Sequence, residues 1–408
     1  MIELKKLGSL LIMLLAFLFF QTCTSCGKQS EETAFSGNDK IYTDASSSAG
    51  SQGYSQDEIS NSRQNAITRS VSKVKDAIVG INVVEVHEVE YRSPYDMFYD
   101  DPFFRRFFGD RGTRSTRKYQ VQGLGSGFII SEDGYILTNH HVAGNASKVI
   151  VTMTDGKKYD AKIIGADKIS DVCLLKIDAN NLPYIKMGNS DDLYIGEWVI
   201  AFGNPFGLFD MNAQPTVTVG VVSNSKVNMY HQDGRVYKGM IQTDAAISSG
   251  NSGGPLVNSL GEVIGMNTVI FSTAQSNQGS GSIGIGFSIP INRVKRIVDL
   301  IKKYGKINRN YYTGLDAREI DEQVVRYLKL NVDQGVYIFG IERKSPAEEA
   351  GLEPGDVIYA INGNPINRSD DYLIEINDAV VGQTMEFTVI RQGEKITKKM
   401  LLRQRDKR

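Results

Sequence analysis

Short apolar runs alternate with polar residues through most of this chain. From Gly123 onward, β-branched runs of a few residues are punctuated by Asp133-Gly134, Asp155-Gly156, Asp233-Gly234 and Leu260-Gly261. Strands of that length between turn dipeptides predict an all-β sandwich or barrel. The period changes in two places. A helical pattern begins near Asn65 and leads into Ala77-Ile78-Val79-Gly80-Ile81-Asn82-Val83-Val84, a first strand. A second helical spacing, Ile291, Val294, Ile297, Val298 and Ile301, stops at Gly305. Residues 311–408 then restart with the strand Gly335-Val336-Tyr337-Ile338 and a short helix at Ser345-Pro346-Ala347-Glu348. The segment Gly355-Asp356-Val357-Ile358-Tyr359-Ala360-Ile361-Asn362-Gly363 follows as turn, strand and hairpin. Residues 87–118 follow no period and predict a long irregular insertion, dense in aromatics such as Tyr95, Phe98, Phe103, Phe104 and Phe107. Structureless loops of that length in a compact domain are commonly functional.

One stretch stands apart chemically: Gly250-Asn251-Ser252-Gly253-Gly254-Pro255. Flanking glycines permit a tight turn that aims Ser252 Oγ outward while backbone amides converge where an oxyanion would form. Taken alone, a glycine-flanked serine also suits an ordinary turn. A serine nucleophile needs a base and an orienting acid. The chain has 4 histidines. His87 lies in a charged stretch and His231 in a polar turn, leaving His140 and His141 just after the strand-like Tyr135-Ile136-Leu137. Further on, Asp171 heads the apolar run Val172-Cys173-Leu174-Leu175, well placed to hold an imidazole. The order His, Asp, Ser is that of chymotrypsin-like enzymes, not of α/β-hydrolases or subtilisins.

Six stretches in this order resemble the HtrA (Deg) serine proteases, trypsin-like domains followed by PDZ domains. They are Gly125-Ser126-Gly127-Phe128, Thr138-Asn139-His140-His141-Val142, Ser170-Asp171-Val172, Gly203-Asn204-Pro205-Phe206-Gly207, Gln242-Thr243-Asp244-Ala245-Ala246 and the Ser252 motif. The resemblance implies a mainly β fold, a double six-stranded β-barrel of trypsin type followed by one PDZ domain. It assigns the base to His141, the orienting acid to Asp171 and the nucleophile to Ser252. The oxyanion hole falls to Gly250, Asn251 and Ser252. Where trypsins carry an acid, six residues before the nucleophile, this chain has Ala246, so Ile247 and Phe271 imply an apolar P1 pocket and cleavage after small aliphatic residues. A lysine there would be buried without a partner at a cost of several kcal/mol. Asp244 reads as structural. In residues 311–408, Glu353-Pro354-Gly355-Asp356 and its surroundings are similar to PDZ domains, which add a C-terminal peptide to a sheet edge. The corresponding carboxylate loop is Tyr312, Thr313, Gly314 and Leu315, with Thr313 standing where relatives usually carry an aliphatic residue. The aromatic insertion is expected to assist assembly or regulation.

Length and charge bound the remainder. A chain of 408 residues implies two or more domains. A formal charge of −1 implies no general attraction to nucleic acid. Lys5 and Lys6 precede the largely apolar residues 7–20, about 21 Å as a helix and short of a membrane span. That is the pattern of a secretory signal. Small residues before Cys26 resemble a bacterial lipoprotein cleavage site, with Cys23 where such sites usually carry Leu. Lipidation at Cys26 is expected, with an uncleaved membrane anchor and a soluble secreted product as alternatives. Processing there leaves Cys173 without a disulfide partner, as a buried apolar residue rather than a reactive thiol. The expected organisation is a signal over 1–26, a flexible tether over 27–65, a protease domain over 66–305, a linker over 306–310 and a PDZ domain over 311–408. No cofactor or metal is called for, since His87-Glu88 lacks the second histidine of a zinc motif. The implied function is an exported, envelope-located endopeptidase in quality control and stress response. It acts on misfolded or regulatory proteins, takes C-terminal peptides at its PDZ domain and forms a homotrimer. The alternative is a proteolytically idle chaperone or binding protein on the same fold.

Overall fold

Among the described residues, eighteen strands pair with antiparallel strand neighbours to build two closed six-stranded barrels and a six-stranded third sheet. The computed structural model describes residues 63–91, 115–204, 214–230, 234–248, 250–270, 284–328 and 335–404. Cys26, Phe271 and most of the aromatic insertion lie outside them. Helix α1 (Ala66–Val74) is capped by Asn65, whose side chain accepts from the Thr68 N–H. The first closed barrel comprises β1 (Ile78–Tyr91), β2 (Ser115–Ile129), β3 (Tyr135–Thr138), β4 (Lys148–Thr152), β5 (Lys158–Asp167) and β6 (Val172–Ile177). The second comprises β7 (Trp198–Gly203), β8 (Thr216–Tyr230), β9 (Val236–Thr243), β10 (Pro255–Asn258), β11 (Val263–Ile270) and β12 (Gly286–Pro290). Between β3 and β4 lies the one-turn helix α2 (His140–Ala143).

The core explains why β6 reads as a nearly unbroken apolar run. Val172, Cys173, Leu174, Leu175 and Ile177 are all fully buried. One face fills the barrel; α3 (Ile291–Tyr304) packs on β5 and β6 as well as on β11 and β12, tying the two barrels together. Its buried stripe is Ile291, Val294, Ile297, Val298 and Ile301, and Gly305 ends it at a positive φ of 75°. Burial pushes the Cys173 thiol up to about 12, the inert behaviour expected of it.

The irregular segment predicted over 87–118 is partly regular. Residues 87–91 and 115–118 extend β1 and β2 as an antiparallel ribbon, with Tyr91 opposite Ser115. A two-stranded ribbon pairs alternate backbone N–H and C=O groups across the strands and turns the others outward, so its pairing follows from the backbone rather than from an apolar run.

The third sheet has the order β13 (Leu315–Glu319), β14 (Val336–Ile341), β15 (Val357–Ile361), β17 (Thr384–Arg391), β18 (Glu394–Leu401), with β16 (Asn364–Pro365) paired to β15. Helices α4 (Glu322–Leu328), α5 (Pro346–Glu349) and α6 (Ser369–Asp378) accompany it. Its own core includes Ile338, Ile358, Ile361, Phe387 and Met400.

Candidate active site

Strands β3 and β6 are antiparallel neighbours, and Thr138 faces Cys173 in their register. The residues just beyond those positions, His141 in α2 and Asp171 before β6, are therefore brought side by side. His141 Nδ1 lies 2.8 Å from Asp171 Oδ2, and the His141 backbone N–H donates to Asp171 Oδ1 at 3.0 Å. With Nδ1 against a carboxylate, the imidazole carries its proton there and keeps a lone pair on Nε2. Asp171 itself has a left-handed φ of 58°, which aspartate tolerates better than most residues. Its carbonyl accepts from the His140 N–H at 3.2 Å and from Asn139 Nδ2 at 3.0 Å. Asn139 thus anchors the acid's backbone while the next turn delivers the imidazole.

The second barrel reaches across to the same carboxylate. Thr268 Oγ1 on β11 donates to Asp171 Oδ2 at 2.9 Å, and Arg235 Nε lies 3.7 Å from Oδ1. Burial pushes the Asp171 carboxyl up, but the His141 ring and N–H together with Arg235 outweigh it and hold it below the usual carboxylate range. His140 is buried, its backbone used as above, and burial lowers its imidazole despite the neighbouring Asp171.

Ser252 is presented by a turn locked to the first barrel. The Ser126 N–H donates to the Ser252 carbonyl at 2.9 Å, and Ser126 Oγ donates to the Gly250 carbonyl at 2.5 Å. The same hydroxyl accepts from the Asn204 N–H at 2.7 Å, while Thr138 Oγ1 donates to the Ser126 carbonyl at 2.7 Å. Gly253, at φ 84°, admits no side chain, because a Cβ would lie 2.2 Å from the Ser126 carbonyl and 2.3 Å from Thr138 Oγ1. Gly250 also has a positive φ, 93°. Among the described residues, neither the Gly250 nor the Ser252 N–H has an acceptor, and Ser252 Oγ makes no hydrogen bond. The Asn251 N–H donates to the Ser248 carbonyl at 2.9 Å and closes the turn.

Ile247 is fully buried in the second barrel's core with Ala245, Ile241 and Val222. It backs this region from inside rather than lining an open pocket. Ala246 is exposed, and Asp244 accepts from the Val221 N–H at 2.7 Å, a structural bond. Sequence reading assigned no role to Ser126, Thr268 or Arg235. Ser126 carried the one usable signal, a serine between two glycines.

On the third sheet, Tyr312, Thr313, Gly314 and Leu315 line a cavity of about 710 Å³ with Ile376 and Asn377 of α6. Ile169, two residues before Asp171, and Arg309 also line it. Arg309 forks onto Asp167, with Nε at 3.0 Å from Oδ1 and Nη2 at 2.7 Å from Oδ2. Its Nη1 donates to the carbonyls of Asn377, Asp378 and Ala379 at the C-terminus of α6. Asp378 is further paired with Arg293 at 2.8 Å and Arg296 at 2.9 Å, and Lys238 meets Glu375 at 2.7 Å.

Comparison with known proteins defines the class first. A trypsin-like peptidase domain model matches residues 125–266, and a PDZ domain model matches residues 313–402. A probable periplasmic serine endoprotease DegP-like protein of Chlamydia muridarum is 45% identical over 305 residues, covering 74% of this chain. The chain spans 58% of that relative's length. A probable periplasmic serine protease do/HhoA-like protein of Haemophilus influenzae is 38% identical over 354 residues, 85% of this chain and 73% of the relative. The solved HtrA-type protease AlgW with decapeptide superposes with a TM-score of 0.60 at 34% identity, covering 84% of this chain and 99% of that one. The chain belongs to the HtrA-type family of trypsin-like serine proteases.

Proposed function

We propose that this protein is an exported serine endopeptidase of the periplasm that cleaves misfolded or regulatory envelope proteins. Ser252 attacks the peptide carbonyl, His141 takes the proton and returns it to the leaving amine, and Asp171 holds the imidazole's tautomer. The Gly250 and Ser252 amides receive the oxyanion; losing one such donor typically costs about 10²–10³ in kcat. The observation that carries this reading is the His141–Asp171 pair at 2.8 Å, completed across the barrel junction by Thr268. Cleavage after small aliphatic residues is part of the proposal and rests on the apolar Ile247 and Phe271, with Ala246 where trypsins carry an acid.

Peptides bound at the 312–315 loop regulate the protease. In support, one arginine joins the C-terminus of α6, beside the peptide cavity, to Asp167, whose Oδ2 also accepts from the Ser170 N–H and hydroxyl. Lipidation at Cys26 and assembly as a homotrimer complete the proposal; intact mass of the mature N-terminus and light scattering test them.

The decisive experiment is β-casein digestion by wild type and Ser252→Ala. Loss of the nucleophile is expected to lower kcat by about 10⁶. Equal digestion by the two proteins would sink the peptidase reading and leave the idle-scaffold alternative.

A further inference from the structure

The carboxylate loop of the third sheet holds an internal acceptor. Glu342 donates its N–H to the Gly314 carbonyl at 2.8 Å, and Leu315 faces Ile341 in the β13–β14 pairing. In an antiparallel ladder this pattern makes Leu315 a non-hydrogen-bonded partner, so its N–H points away from β14 and toward the cavity. There it donates to Thr313 Oγ1 at 3.2 Å. The Thr313 and Gly314 N–H groups have no acceptor among the described residues. Gly314 holds the turn at φ 74°, and a Cβ on it would lie 2.2 Å from Ser345 Cβ, so this geometry is built in.

We propose that the Thr313 hydroxyl is an intramolecular stand-in for a peptide carboxylate, an inference that rests on reading this loop as the peptide site. Three successive amides form a nest suited to an anion. Without ligand, two of them await an acceptor while the third is already satisfied by Thr313. An entering carboxylate must displace that oxygen, so its net gain is smaller than three new bonds. The hydroxyl is neutral and a weaker acceptor than a carboxylate, and it yields to a charged C-terminus but not to a neutral one. The site is thereby biased against amidated or internal segments and is set to bind only abundant free C-termini.

The test uses the full-length chain and a pool of fluorescein-labelled hexapeptides randomised at the last three positions, prepared as free acids and as C-terminal amides. Thr313→Val keeps the shape and removes the acceptor, while Thr313→Ser keeps the oxygen. Removing one competing neutral hydrogen bond is expected to tighten free-acid binding about fivefold in Thr313→Val. Thr313→Ser is expected to stay near wild type. Amide exchange in the ligand-free protein is expected to speed up over residues 313–316 in Thr313→Val alone. If wild type captures free acids but Thr313→Val binds them equally or more weakly, the stand-in role is overturned while the peptide site stands. If no variant prefers free acids to amides, the peptide-site reading fails and takes the stand-in with it.

Discussion

Asp171 carries more of the site than its place in the sequence suggests. It is fully buried, and its two oxygens are met by the His141 ring and N–H, Thr268 Oγ1 and Arg235. Thr268→Val removes one hydrogen bond to a charged acceptor without changing side-chain shape. Such bonds contribute about 1.5–3 kcal/mol, so kcat/KM for casein is expected to fall roughly tenfold to a hundredfold. An unchanged rate with normal folding would remove Thr268 from the machinery. Motif spacing singled out His141 and Asp171, which the fold sets 2.8 Å apart, because each belongs to a run whose neighbours shape a turn. Thr268 and Ser126 could not be assigned that way: each acts on residues far away in the chain, and only the closed barrels bring the partners together.

At the scale of elements, α3 is the clearest case of pattern becoming structure. Its five apolar residues at helical spacing are buried in the core cluster that takes in residues of both barrels. Ile297→Ala is expected to cost about 2–5 kcal/mol, read as a lower urea midpoint, because the surrounding strands cannot collapse into the space. A surface-like loss below about 0.5 kcal/mol would contradict that packing. The ribbon extending β1 and β2 shows the opposite case. Its charged residues concealed two paired strands, since cross-strand backbone bonding leaves little trace in side-chain pattern.

At the scale of the whole molecule, the barrels and the third sheet meet through buried charge. Arg309→Met is expected to leave Asp167 buried without its partner, a loss of about 3–5 kcal/mol. Calorimetry should then resolve a separate, earlier transition for the third sheet; one unshifted transition would show the clamp to be dispensable. The pH dependence follows the same charges. Burial raises the Asp167 and Asp378 carboxyls, yet Arg309 with Ser170 at the first, and Arg293, Arg296 and Arg309 at the second, hold both below the usual 3.8. A carboxyl depressed on folding stabilises the folded state fully above its unfolded value and ceases to do so as pH falls through the folded one. Wild type should therefore begin to lose this docking as pH falls below about 3.8, with the loss complete only below the depressed folded values, and Arg309→Met should show a weaker dependence there, by thermal melts from pH 7 to pH 2.5.

The amino-acid sequence by itself determined the β-rich periodicity, the helical stripe of α3, the glycine-framed serine and the order of histidine, aspartate and serine. These depend on neighbours a few residues apart, where side-chain size and backbone freedom act directly. Only the tertiary structure decided that Thr268 reaches Asp171 and that Arg309 joins α6 to Asp167. Those two contacts unite residues about a hundred or more positions apart in the chain, and their energies come from burial and geometry that exist only once the sheets have closed.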